Sequence, residues 1–324
     1  MSRHLVVILL LLVLSVVAGN NAGAAVENRQ TDVNDFTISL LWPDGVLVPF
    51  AEYHGGKWLN PWPKPELSSD DEPNTVADLS KPWFAQNKKP SPTWYFWSSD
   101  GALHVLKAGK IVKVDSHCQT AWGLLSDLPK ESTADSRRGK PCVALDAKRQ
   151  VNSMTEVANT SDEWKGFLSF VRPAFEREEE TRAAELSSFL TSPSGEDRKK
   201  VNVTLSHLYR SDAMIGERYL YYFEAQKEYR EPLPANDQSC NNVIFRGWGI
   251  RNLRGDLSLL GTQIGWADCD LKGDGGRVPL GVLSIDDRAF VITYDPGYEG
   301  ESYSILELTE SGARLALETE GGSC

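Results

Sequence analysis

Val278-Pro279-Leu280-Gly281-Val282-Leu283-Ser284-Ile285, then Asp286-Asp287-Arg288, then Ala289-Phe290-Val291-Ile292-Thr293-Tyr294: this stretch decides the fold. Two apolar runs of strand length flank a short acidic turn. Asp295-Pro296-Gly297 supplies the next turn, and Tyr303 to Leu308 the next run. Short runs rich in β-branched and aromatic residues, separated by Asp, Gly and Pro, signal antiparallel hairpins.

The same cadence extends outward in both directions. Val201 to Leu205 alternates, and Tyr219-Leu220-Tyr221-Tyr222-Phe223 is an aromatic strand. Val243 to Ile250 and Leu257 to Trp266 follow. Towards the N-terminus, Phe36 to Leu40 alternates before the turn Pro43-Asp44-Gly45 and the run Val46 to Phe50. Pro49 cannot donate to a ladder, so its strand should lie at an edge or carry a bulge. Thr93 to Trp97, Asp100-Gly101, Ala102 to Leu106, Ala108-Gly109 and Ile111 to Val114 form a second such set. One recurrence of the Asp-Gly-then-apolar unit establishes no repeat period. Residues 60–92 are proline-rich and read as an extended surface segment.

Residues 161–190 break the pattern. Ser161 or Asp162 can cap a helix, and Asp162 and Glu163 suit its first turn. Pro173 is expected to break or restart it. Beyond Pro173, Phe175, Glu179, Ala183, Leu186 and Leu190 trace one face. The fold class expected is therefore mainly β, with antiparallel sheets forming a sandwich, barrel or propeller-like body and one helical insertion. An N-terminal β region (36–150) and a C-terminal one (201–324) could be one continuous domain. No strand–helix alternation points to a doubly wound sheet.

Composition fits a packed domain: among 324 residues there are 10 Trp, 10 Tyr and 11 Phe. Residues 1–24 read as a signal peptide, with Arg3, an apolar run from Leu5 to Ala18 and the small-residue site Ala22-Gly23-Ala24. No later run is long enough to span a membrane, so a secreted or periplasmic protein is expected. The formal net charge of −11 disfavours nucleic acid and anionic lipid as partners. An exported chain can hold disulfides. Local spacing favours Cys118–Cys142 and Cys240–Cys269, leaving Cys324 unpaired.

Two clusters are candidate sites. Trp42, Tyr53, Trp58 and Trp62 could form a platform on which a sugar ring or a peptide proline stacks. Asp268, Asp270 and Asp274 precede or enter a glycine-rich turn and could converge on calcium. Over about nine residues this loop is similar to the acidic calcium loops of bacterial propeller and adhesin repeats, although Lys272 stands where another Asp or Asn is expected. His54, His104, His117 and His207 fall in no HExxH, GxSxG or P-loop pattern. The reading is an exported, non-catalytic binding or envelope-associated protein for a glycan or protein ligand. The alternatives are a secreted hydrolase of polysaccharide or peptide using an Asp/Glu pair, and a calcium-stabilised propeller or adhesin-like unit.

Overall fold

Among the described residues, seventeen strands form two antiparallel sheets in a computed structural model. It describes residues 35–62, 64, 66–67, 91–98, 100–116, 118–129, 139–183, 195–212, 214–215, 217–230, 240–268, 276–297 and 299–324. The leader at 1–24 lies outside that set, as does most of the proline-rich segment. No helix among the described residues is long and apolar enough to cross a membrane.

The first sheet holds β1 (Phe36–Leu41), β2 (Val46–His54), β3 (Lys57–Leu59), β4 (Glu66–Leu67), β5 (Thr93–Trp97), β6 (Leu103–Ser116), β7 (Gln119–Ser126) and β8 (Cys142–Leu145). Its order is β3-β2-β1-β8-β5-β6-β7-β4, and pairing of Val46 with Leu125 and of Leu47 with Leu124 closes six of these strands into a barrel. Gly123 makes the closure possible: a Cβ there would lie 2.7 Å from Val46 Cγ1 and 3.0 Å from the Leu47 carbonyl. Leu41, Leu47, Trp94, Leu106, Leu124 and Ala144 fill the interior. Pro49 sits at a bulge, where Ile38 pairs with Ala51 and Ser39 with Pro49. The missing donor is thus absorbed by an irregular register, and the strand need not be an edge.

The second sheet contains β9 (Val151–Glu156), β10 (Thr204–Ser211), β11 (Arg218–Arg230), β12 (Cys240–Asn252), β13 (Leu257–Asp268), β14 (Val278–Ile285), β15 (Arg288–Pro296), β16 (Gly300–Thr309) and β17 (Gly312–Ser323). The order β13-β12-β11-β10-β9-β14-β15-β16-β17 curls into a half-barrel. Strand alternation then sorts its side chains onto two faces. Tyr209, Tyr222, Trp248, Val282, Val291 and Leu306 share a cluster on the inner face. The outer face is covered twice. Over β14–β16, Leu283, Phe290, Ile292 and Ile305 share a core with Phe36, Ile38 and Leu40 of the barrel. Over β10–β12, Tyr221, Phe223, Val243 and Phe245 receive Phe167, Val171, Ala174 and Phe175 of helix α1 (Asp162–Thr181). A short α2 (Gly195–Lys200) precedes β10.

Ser161 caps α1, its Oγ accepting from the Trp164 amide at 3.1 Å, with Asp162 and Glu163 in the first turn as expected. Pro173 does not break the helix, which runs on to Thr181. Anchoring of Phe167 and Val171 before the proline and Phe175 after it holds one rod on the sheet, so only a single ladder bond is forfeited. The far part of the expected apolar face, Leu186 and Leu190, lies outside the described residues.

The cysteines are paired differently from the local scheme. Cys118 bonds Cys324, 206 residues away, and Cys142 is a free thiol inside β8. The turn between β6 and β7 is brought beside the end of β17, where Gln119 Nε2 donates to Ser323 Oγ at 3.2 Å. Sequence separation could not reveal this meeting of the two sheets. β12 and β13 are in register down to Asn241 opposite Asp268, so Cys240 and Cys269 are next in the numbering. Cys269 lies outside the described residues, and that bond remains an expectation.

On the half-barrel's outer face, Arg288 Nε donates to Glu307 at 2.6 Å and Arg314 donates to its other oxygen. These two bonds, the Arg288 one first, hold the Glu307 carboxyl down at about 2. A depressed folded pKa adds stability above the unfolded value, and that stability is lost as pH falls through the folded one. Melting temperature should therefore drop between pH 4.5 and about 2, and Glu307→Gln should flatten part of that drop. An unchanged slope in Glu307→Gln would show that other carboxylates carry it.

Candidate functional site

The inner face of the half-barrel changes character along its length. One end is the apolar cluster around Trp248 and Val291. The other is polar, because alternate positions of otherwise apolar strands turn charged. On β11 and β12 the inward series is Tyr222, Glu224 and Arg246, with Glu224 directly opposite Arg246. On β15 and β16 it passes from Val291 and Leu306 to Thr293 and Ser304, then to Asp295 and Ser302. Glu320 on β17 pairs with Ser302 and continues the row.

Two adjoining clefts open here. One of about 370 Å³ is lined by Arg277, Asp295, Glu301, Ser302, Glu320 and Ser323 among others. The second, of about 200 Å³, lies between the middle of β13 and the start of β17 over Tyr222 and Trp248. Arg246 and Arg277 line both.

The charged groups are tied down. Arg277 Nε and Nη2 clamp Asp295 at 2.9 and 3.0 Å. Burial weighs against the Arg277 cation, and the Asp295 carboxylate more than reverses that, holding it above its ordinary value. Glu224, 6% exposed, accepts from the Tyr222 hydroxyl at 2.5 Å and from the Arg277 amide at 3.1 Å. Burial first, then the Glu224 charge, pushes the Tyr222 phenol well up. Gly276 adopts φ +73°, and a Cβ there would lie 3.3 Å from Glu224 Oε2, so a side chain would be strained and would crowd this carboxylate. Glu301 accepts from Tyr294 and Tyr303 at 3.0 and 2.8 Å. Burial first, then Glu301, raises the Tyr294 pKa. Below the cleft, the hydroxyls of Thr293 and Ser304 are buried without a protein partner among the described residues.

The aromatic residues singled out from sequence lie elsewhere. Trp42, Tyr53 and Trp58 are 7%, 4% and 9% exposed and belong to the core between barrel and half-barrel. Tyr53 and Trp58 do meet, at 4.9 Å, but against Phe290. Trp42 sits edge-on to Tyr294, and Trp62 packs on the barrel-interior cluster. Their rings seal the interface of the two sheets, and no open face is left on Trp42, Tyr53 or Trp58 for a sugar to stack on. Of the calcium candidates, Asp268 ends β13, while Asp270 and Asp274 lie outside the described residues.

The described histidines are dispersed, and His117 lies outside the described residues. His54 meets Asp35 at 2.8 Å and His207 meets Glu156 at 3.0 Å, both on the surface. Ser98 Oγ contacts His104 Nε2 at 2.9 Å and donates to Asp100 at 2.5 Å. There the carboxylate engages the hydroxyl and not the imidazole, the reverse of the order that activates a serine. The cluster caps the turn at Gly101.

Sequence reasoning missed Glu224, Arg246, Arg277 and Asp295. For Glu224, Arg246 and Asp295 the signal was a charge at an inward position of an apolar strand, as in Val243-Ile244-Phe245-Arg246, while Arg277 stands just before β14. Comparison of the chain with protein families, curated proteins and solved structures gives no match.

Proposed function

We propose that this chain is an exported, non-catalytic binding protein that holds a glycan or protein ligand in the polar mouth of its half-barrel. One observation carries the reading. The cleft's acidic and basic groups are fixed in advance by partners of the protein's own: Asp295 by Arg277, Glu224 by Tyr222 and the Arg277 amide, Glu301 by two tyrosines. Rigid, satisfied groups bind without ordering cost. A general acid or base needs its proton-carrying oxygen free to face the substrate, and both Asp295 oxygens are occupied by Arg277. Secretion or a periplasmic location is supported by the leader-like residues 1–24 and by the Cys118–Cys324 bond.

The hydrolase alternative is favoured by a different fact, that Asp295, Glu301 and Glu320 line one cleft. A single experiment separates the two. The secreted form is titrated with labelled envelope oligosaccharides and peptides, and the same mixtures are assayed for cleavage. Binding without turnover is expected. Glu320 is exposed, so Glu320→Arg should weaken binding by about tenfold, the loss of one charged hydrogen bond, at unchanged melting temperature. Cleavage of any of these polymers, or no binding across both sets, would sink the proposal.

A further inference from the structure

Six asparagines have described side chains, and the fold uses four of them. Asn60 Oδ1 accepts from the Trp62 amide at 3.0 Å, and Asn152 Oδ1 accepts from Gln150 Nε2 at 3.2 Å. Asn252 Oδ1 accepts from the Arg254 and Asp256 amides and shapes the β12–β13 turn. Asn242 is 4% exposed inside β12. The other two, Asn159 and Asn202, are exposed, and neither side-chain amide bonds to a described residue. These same two are the only asparagines of the chain that open an Asn-x-Ser/Thr triplet: Asn159-Thr160-Ser161 and Asn202-Val203-Thr204. In an exported chain that triplet is the acceptor for N-linked oligosaccharide, and its place is a surface segment.

The local structure presents both acceptors outward. Asn159 lies between β9 and α1. The Ser161 amide donates to the Ala158 carbonyl at 3.0 Å, closing a turn whose two central residues, Asn159 and Thr160, are exposed. Asn202 lies between α2 and β10. Val203, 2% exposed, is held in the core under α1, while Asn202 and Thr204 on either side of it are exposed. β9 and β10 run antiparallel with Glu156 opposite Tyr209, so both acceptors emerge at one end of the half-barrel. It is the end where the polar mouth opens, because Ser153 of β9 pairs with Gly281, and Val278 at the start of β14 pairs with Tyr294, next to Asp295.

We propose that Asn159 and Asn202 carry N-linked oligosaccharides, two glycans that bracket the helical insertion at the rim of the mouth. The donor is an oligosaccharide joined through pyrophosphate to a lipid carrier of the secretory pathway. The asparagine amide nitrogen bonds to the anomeric carbon, the anomeric C–O bond to pyrophosphate breaks, the amide gives up one proton, and the lipid pyrophosphate leaves. Transfer takes place on the nascent chain, before the Ser161 cap and the bond from the Thr204 hydroxyl to the Gln226 carbonyl form, so neither competes with it. The folded protein accommodates the product, since no described hydrogen bond is given up at either amide. The proposal rests on the export reading, because the donor is met only along that route.

The full chain, made with its own leader in a secreting eukaryotic cell and recovered from the medium, is treated with peptide N-glycosidase F. Two stepwise losses of mass on a denaturing gel are expected, with Asn159 and Asn202 both converted to aspartate in the peptide map. Asn159→Gln and Asn202→Gln should each remove one step without changing the melting temperature of the deglycosylated protein. Thr204→Val should remove the Asn202 step while leaving that asparagine in place. A chain that leaves the cell with its leader removed and both asparagines unmodified overturns the proposal and leaves export and the cleft standing. A glycan at one asparagine alone overturns the assignment of the other. A chain retained in the cytosol with its leader attached overturns the export reading, and this proposal with it.

Discussion

Glu179→Ala is expected to cost about 3–5 kcal/mol of stability, the cost of breaking a buried ion pair by removing one partner. Glu179 and Lys227 are 3% and 2% exposed, with Lys227 Nζ donating to Glu179 Oε2 at 2.7 Å. The Tyr229 hydroxyl donates to the other oxygen, and burial followed by the Glu179 contact raises that phenol's pKa. Removing the carboxylate leaves the ammonium, among the described residues, with the Arg198 carbonyl at 3.2 Å and a position above the Phe175 ring. A buried cation so placed weakens the seat of α1 on β11. Replacing the pair as a unit costs far less, since two apolar side chains need no desolvation. Glu179→Leu with Lys227→Leu should accordingly recover most of the stability lost by Glu179→Ala. Urea denaturation of the three proteins measures this, and a loss below about 1 kcal/mol for Glu179→Ala would mean water reaches the pair.

That pair marks how far the sequence could be read. The stripe Phe175, Glu179, Ala183 was legible as a helix face, and Glu179 was its one charged member. What sits opposite, Lys227 of the aromatic strand β11, is 48 residues away and follows only from register. Hairpins were legible for a physical reason: turn residues such as Asp286, at φ +52°, and Gly101, at φ +80°, punctuate runs whose alternation is local. Sheet closure was not, because it depends on pairs such as Leu47 with Leu124 and on a single glycine at 123. The aromatic residues show the same division. Their abundance announced a large core, while their assignment to a binding face needed knowledge of which surface the other sheet covers. The polar mouth was hidden most deeply, since its members come from five strands and from Arg277 ahead of β14, far apart in the chain.

Breaking the Cys118–Cys324 bond should have the second large effect, and it should act on two properties at once. In the chain-entropy account, a crosslink spanning about 200 residues contributes about 5 kcal/mol, and measured native bonds give about 2–5. Cys118→Ser with Cys324→Ser is expected to fall in that range by urea denaturation. The bond also fixes the end of β17, whose Gly322 and Ser323 wall the larger cleft. Cys324 is further held by its amide to the Glu299 carbonyl at 2.7 Å, and the Ser323 amide donates to Gln119 Oε1 at 3.2 Å. Freeing the sulfur link should let the cleft wall fray and lower ligand affinity in protein that is still folded. Cys142→Ser is the control. Burial pushes the Cys142 thiol up to about 12, so little of it is thiolate at neutral pH, and it belongs to neither the bond nor the cleft lining. With Cys240 and Cys269 joined as well, thiol titration in denaturant should find one thiol per chain, and peptide mapping should place it at Cys142. A double serine variant as stable as the parent, or a thiol mapped to Cys118 or Cys324, would show that the two sheets are held at this corner by packing alone.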